Sequence, residues 1–271
     1  MNFINSVRRF FRAPAPEQPQ PASKIQLLLT DAYDRFTSDD SAEAERLACL
    51  ALTDSSHSSY PSLVEYALGL LGYLWMDEEN YEKPISFLSN FIQTHLDNAT
   101  ALEMRARLLW YSGRQNEALA DYDRVIELVP SDLSARVARG QVLVELSQPQ
   151  MAIEDLEFAL ELNNAVPNAR DKSWSVTQAY TRNGLGAASS ALGEYSKAFE
   201  QFSLSIDLQP ENAWVYYNRA RAREKTGDFL AALSDYRKAL TNSQPKLPEY
   251  KRKDAEAQIK QLAKLDPEEP S

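Results

Sequence analysis

Residues 113–130 read GRQNEALADYDRVIELVP, residues 193–210 read GEYSKAFEQFSLSIDLQP and residues 227–240 read GDFLAALSDYRKAL. Each stretch opens on glycine, carries alanine five residues on (Ala118, Ala198, Ala232) and an aromatic four after that (Tyr122, Phe202, Tyr236). Seven residues before each glycine stands another small residue: Ala106, Gly186 or Ala220. Two helices can approach closely only where one side is Gly or Ala, since a bulky side chain there forces the backbones apart. A glycine just past a helical run lets the chain turn through the left-handed region and reverse. The spacing therefore predicts pairs of helices, each pair closed by a tight turn, with an aromatic filling the space between neighbours.

This pattern resembles the tetratricopeptide repeat, a helix–turn–helix unit of 34 residues. Aligning on the small positions gives six units: 25–58, 65–98, 99–132, 133–166, 179–212 and 213–246. Their eighth residues are Ala32, Gly72, Ala106, Gly140, Gly186 and Ala220, and their twentieth are Ala44, Pro84, Ala118, Ala152, Ala198 and Ala232. The twenty-fourth positions hold Ala48, Leu88, Tyr122, Leu156, Phe202 and Tyr236, and Pro130 and Pro210 match the proline that often closes the motif. Unit one departs from the pattern with Asp39–Asp40 at the turn and Ala48 for the aromatic. Pro84 falls in the first turns of a second helix, where proline costs least. The register skips at 59–64 and 167–178, which read as insertions. Trp174 within the longer one has no repeat-packing role, and that insertion is expected to cover a rim of the groove, to touch a partner, or to be a tolerated exposed loop. The resemblance implies an all-α fold, a right-handed α-solenoid of about six such repeats. Residues 247–266 read as a C-terminal capping helix with Tyr250, Ala257, Ile259, Leu262 and Leu265 apolar, and 267–271 as a tail; a terminal repeat needs such a cover for its unburied side.

Composition narrows the function. The chain of 271 residues has a net charge of −10, which argues against nonspecific nucleic-acid binding. One cysteine, Cys49, excludes an intrachain disulfide and a thiolate metal cluster, and it reads as a small core residue. The two histidines, His57 and His95, are far apart, and no hydrolase, phosphate-loop or metalloprotease motif occurs. The reading is non-enzymatic, with no cofactor and no metal, and cytoplasmic.

Residues 1–24 differ from the rest, with Arg8, Arg9, Arg12 and Lys24 against Glu17 alone. Pro14, Pro16, Pro19 and Pro21 make 13–23 an extended linker. Residues 1–12 are open to four readings: a disordered tail, a membrane-surface anchor, a docking peptide or a transit sequence.

In the family, the first helices of the units line a concave groove that takes peptides or extended segments. The groove positions are 2, 5, 9 and 12 of each unit, a spacing that lies on one helix face. On that basis the partner-binding candidates are Tyr66, Tyr73, Glu103, Arg107, Gln141, Tyr180, Asn183, Trp214, Tyr217, Asn218 and Arg221. Trp214 has a competing reading as a core residue at a helix start, and Phe36 and Trp110 as residues packed on the next helix. Arg219, Arg221, Arg223, Glu224 and Lys225 read as a solvated face with internal pairs, Arg221 excepted. Some members grip a C-terminal carboxylate with lysines and asparagines; here Asn183 and Ala187 stand where Lys and Asn are needed, and Asn218 alone fits. The expected role is a protein–protein adaptor or scaffold whose protein or peptide partner brings apolar anchors and few net charges. The alternative is a peripheral membrane-associated assembly factor tethered by the basic N-terminus.

Overall fold

The computed structural model describes residues 24–53, 61–75, 81–165, 172–242 and 247–265. The membrane-arm and linker readings of residues 1–23 therefore fall outside the described residues, as do His57 and most of the loop before Pro61. All described regular structure is helical: α1 (Lys24–Thr37), α2 (Ser41–Thr53), α3 (Pro61–Trp75), α4 (Glu82–Thr94), α5 (Ala99–Tyr111), α6 (Gln115–Leu128) and α7 (Leu133–Glu145). Then follow α8 (Pro149–Ala165), α9 (Lys172–Ala191), α10 (Tyr195–Leu208), α11 (Ala213–Thr226), α12 (Phe229–Thr241) and α13 (Glu249–Leu262), with a closing 3-10 turn at Ala263–Leu265. None of the described helices is long and apolar enough to cross a membrane.

The turn positions explain the helix pairing. The fifteenth residues of the described turns are Asp39, Gly113, Ser147, Gly193 and Gly227, with φ of 67°, 83°, 60°, 78° and 81°. Five turns with one left-handed residue at one register position fix the repeat phase. Aspartate tolerates that region better than most side chains, which is why the turn of the first pair survives without glycine. Three units end on the residue that caps the following helix. Asn98, Asp132 and Asn212 accept from the amides of Ala101, Ala135 and Trp214 at 2.7, 3.0 and 3.0 Å.

The chain divides into two compact units between Leu74 and Trp75. In the first, α1 and α2 pack through Ile25, Leu29 and Ala32 against Ala44, Leu47 and Ala48. Phe36 meets Tyr73 of α3 edge-on at 5.0 Å. Cys49, read as core, is only partly buried, because it faces away from the stripe of Ala44, Leu47, Ala48 and Ala51.

In the second unit the expected crossings are tight. Ala106, Ala118, Ala152, Ala198, Ala220 and Ala232 are fully buried, and so are Tyr122, Leu156, Phe202 and Tyr236 one turn on. A Cβ on Gly140 would lie 2.7 Å from Leu156 Cγ, and one on Gly186 would lie 2.6 Å from the Phe202 ring. The small residues at the eighth position are thus demanded by the twenty-fourth.

A second regularity joins three of the pairs. Arg105, Arg139 and Arg219 donate in bidentate fashion to Asp121, Asp155 and Asp235, at 2.6–2.8 Å. Arg223 also reaches Asp235 at 2.7 Å. Arg219 and Arg223 are therefore not members of a merely solvated face: they neutralise a buried carboxylate on the partner helix.

The insertion at 167–178 is not a loop throughout. Helix α9 starts at Lys172, and α8 runs on to Ala165, so the two helices lengthen together. The Trp174 indole N–H donates to the Asn163 carbonyl at 3.2 Å, and Gln178 Nε2 donates to Asn164 Oδ1 at 2.6 Å. Trp174 satisfies a carbonyl near the end of α8, where helical partners run out, so it has the packing role that repeat spacing alone does not assign. The capping face also differs from expectation. Lys251, Ala255 and Leu262 are the buried residues of α13, while Ala257 is exposed.

Candidate partner-binding groove

Helices α5, α7, α9 and α11 are the first helices of the four pairs in the second unit, and α9 packs beside both α7 and α11. Several of their stripe positions meet across neighbouring helices. Gln141 Nε2 on α7 donates to the Tyr180 carbonyl on α9 at 3.3 Å, and Asn218 Nδ2 on α11 donates to Asn183 Oδ1 on α9 at 3.0 Å. Asn183 is fully buried and its own amide N–H groups have no partner among the described residues. Glu103 pairs with Arg107 at 2.6 Å and accepts from the Ser134 hydroxyl of α7 at 2.9 Å. Burial pushes the Tyr180 hydroxyl well above the usual tyrosine value. Hydrogen bonds thus link stripe residues of α5 to α7, of α7 to α9 and of α9 to α11. Tyr66 and Tyr73 belong to the first unit, where burial and the nearby Tyr33 and Asp34 push the Tyr66 hydroxyl up to about 12.

Trp214 and Tyr217 sit on the predicted face but are not open to solvent, being 3% and 4% exposed. Two contacts cover them. Trp110, at the far end of α5, packs on Trp214 with ring centroids 4.8 Å apart. Helix α13 lies against the same rings from the other side. The Lys251 ammonium sits 4.9 Å from the Trp214 ring, 4.9 Å from the Tyr217 ring and 5.6 Å from the Tyr250 ring. It pairs with Glu145, the last residue of α7, at 2.7 Å. The Tyr250 hydroxyl and Gln115 Nε2 donate to the same carboxylate at 2.9 and 3.2 Å, and the Tyr217 hydroxyl donates to Asp254 at 2.7 Å. Burial pushes the Lys251 ammonium below its usual value, opposed by Glu145 and reinforced by the like charge of Arg221. Burial works to raise the Glu145 carboxyl, but attraction to Lys251 and hydrogen bonds from Lys251 and Gln115 outweigh it and hold the group below 4.5.

Beside this cluster a cavity of about 460 Å³ opens between α7, α9, α11 and α13. Gln141, Ser190, Asn218 and Trp214 line it, and Arg221, Lys225 and Lys251 reach it alongside Glu145. Arg221 is exposed, lies over the Tyr217 ring at 5.9 Å, and has no carboxylate partner among the described residues.

Glu145 and Lys251 escaped the sequence reading, and Tyr250 was read only as an apolar residue of the capping helix. Glu145 was legible in part, because it lies four residues beyond Gln141 on the same helix face. The stripe taken at position 12 also presents position 13. Nothing in the spacing could bring Lys251 to Glu145, since that contact depends on where the last helix returns.

The family model described as tetratricopeptide repeat matches residues 99–132 and 215–244. Human mitochondrial import receptor subunit TOM70 is 26% identical over 185 residues, covering 62% of this chain and 28% of the receptor. Mouse tetratricopeptide repeat protein 36 is 40% identical over 105 residues, covering 38% of this chain and 56% of that protein. The chain thus spans less than two thirds of the length of either relative. A solved tetratricopeptide repeat protein from Parabacteroides merdae superposes with a TM-score of 0.59 at 22% identity, covering 90% of this chain and 94% of that one.

Proposed function

We propose that the chain, matched by the tetratricopeptide repeat model over 99–132 and 215–244, is a non-enzymatic adaptor that holds a segment of a protein partner against the face formed by α5, α7, α9 and α11. The observation that carries this reading is the cavity on that face, where a Trp ring, two amides and a guanidinium with no carboxylate partner among the described residues converge in a space of about 460 Å³. Aromatic rings and arginine supply most of the affinity of protein interfaces, and amides fix the orientation of a peptide backbone. The relation to an import receptor subunit supports a protein ligand. Residues Gln141, Asn218 and Arg221 are the contacts most open to a ligand, with Glu103 and Arg107 further along the same face.

The test uses the full chain immobilised beside its Arg221→Glu, Gln141→Ala double variant, both checked for equal melting. A protein retained by the parent and lost by the variant is the expected outcome. Equal retention of every captured protein by both overturns the groove reading.

A further inference from the structure

Helix α13 makes a weak lid by apolar measures. Three of its residues are buried, Lys251, Ala255 and Leu262, and the first of these is a lysine. A helix whose task ended with covering the last repeat would carry an apolar side chain there, since a hydrophobic residue is as stabilising as a buried ion pair or more so. Instead the ammonium is enclosed by Trp214, Tyr217 and Tyr250 and held by a carboxylate. Aromatic faces around an ammonium are the physical means of binding a desolvated cation.

Tyr250 and Lys251 leave with the helix, whereas Glu145, Trp214 and Tyr217 stay with the groove. We propose that Glu145, Trp214 and Tyr217 form a lysine-binding site, filled in the free chain by Lys251, and that a protein partner enters by placing its own lysine there in exchange for α13. The inference deepens the groove reading and rests on it. The partner segment is specified further by what surrounds the site. Tyr217 donates to an acid three residues beyond Lys251, Asp254. Arg221 and Lys225 offer positive charge on the cavity side, with no carboxylate partner among the described residues. A helical segment with lysine and an acidic residue about one turn later satisfies both.

The exchange is physically reasonable because Glu145 is paired both with α13 in place and with a partner lysine in its stead. Withdrawing α13 returns a lysine and an otherwise polar helix to water. Glu145, left behind beneath the rings, is then the strongest unpaired charge on the face, and it selects a cation as replacement.

A labelled synthetic peptide of residues 247–265 is the probe, and its binding to the full-length chain is read by fluorescence anisotropy. A site filled in cis for most of the time shows an affinity reduced by its open fraction. Lys251→Glu places two carboxylates together and expels α13. It should raise peptide affinity at least about tenfold over the parent. Amide exchange over 249–262 should quicken while α11 and α12 stay protected. Adding Glu145→Gln should abolish the gain, and so should norleucine for the lysine of the peptide. Tyr250→Phe with Asp254→Ala loosens α13 without adding charge, and it should give a smaller gain in the same direction if Lys251→Glu disturbs the fold. Unchanged affinity in both variants, or equal binding of the norleucine peptide, overturns the proposal. The probe comes from this chain, so its failure leaves the partner-capture comparison intact, and failure of that comparison leaves this one readable.

Discussion

Trp110 at the far end of α5 and Trp214 at the start of α11 touch, with ring centroids 4.8 Å apart and planes inclined at 51°. They belong to the third and sixth helix pairs, so the inner face of the second unit closes on itself at that level. Tyr111 joins the cluster 6.1 Å from Trp214. The aromatic rings at this end of α5 and α11 therefore serve packing.

Trp214→Ala with Tyr217→Ala should therefore lower thermal stability, by about 3–5 kcal/mol for the tryptophan alone. The burial of Trp214 agrees with the competing reading of it as a core residue at a helix start. A chemical-denaturation curve superimposable on that of the parent would show that the rings do not pack as described.

The arginine–aspartate pairs between helices give a graded test. Asp235 is 1% exposed and receives both Arg219 and Arg223. Asp235→Ala should cost about 2–4 kcal/mol, less than a fully dry pair because both arginines keep some contact with water. Asp97→Ala removes one of two carboxylates paired with the exposed Arg124, the other being Glu127, and should shift stability by no more than about 0.5 kcal/mol. Similar melting of the two variants would contradict the burial difference.

Two glycine substitutions should have opposite signs. Gly186→Ala brings a Cβ within 2.6 Å of the Phe202 ring and 3.1 Å of the Ala198 carbonyl oxygen, so it should destabilise by about 1–3 kcal/mol. Gly69, inside α3, has no atom within 4 Å of a Cβ position. Gly69→Ala should stabilise by about 0.5–1 kcal/mol through helix propensity and a less flexible unfolded chain. Paired urea titrations read both.

Acid should loosen α13 through Glu145. The folded carboxyl lies below 4.5, so as pH falls the unfolded chain takes up this proton first. The contribution is complete at neutral pH, starts to decline near 4.5, and is gone once the pH is below the folded value. Glu145→Gln should be less stable than the parent at neutral pH, because Lys251 is left buried without a counter-charge. Between about pH 5 and pH 3 its stability should fall less steeply than that of the parent. Parallel slopes across that range would remove Glu145 from the acid response.

Much of the fold was written locally. Gly113, Gly193 and Gly227 end helices because a left-handed residue is needed there, and Ala or Gly at the eighth and twentieth positions allows the crossing with Tyr122, Phe202 or Tyr236. Such requirements act between residues close in the chain, so a repeat spacing exposes them. Which side chains share a helix face was legible for the same reason, as helix periodicity sets it. Three features were beyond that reach. Trp174 looked idle because its partner, the Asn163 carbonyl, is a backbone group whose need arises only when α8 and α9 extend together. The meeting of Trp110 with Trp214 depends on how far the array turns across several pairs, a sum of small rotations that no single unit encodes. The burial of Lys251 depends on the path of α13 back to Glu145. A lysine in a polar helix reads as solvated until the tertiary structure surrounds it with three rings and a carboxylate, and only then does the same residue mark the centre of a site.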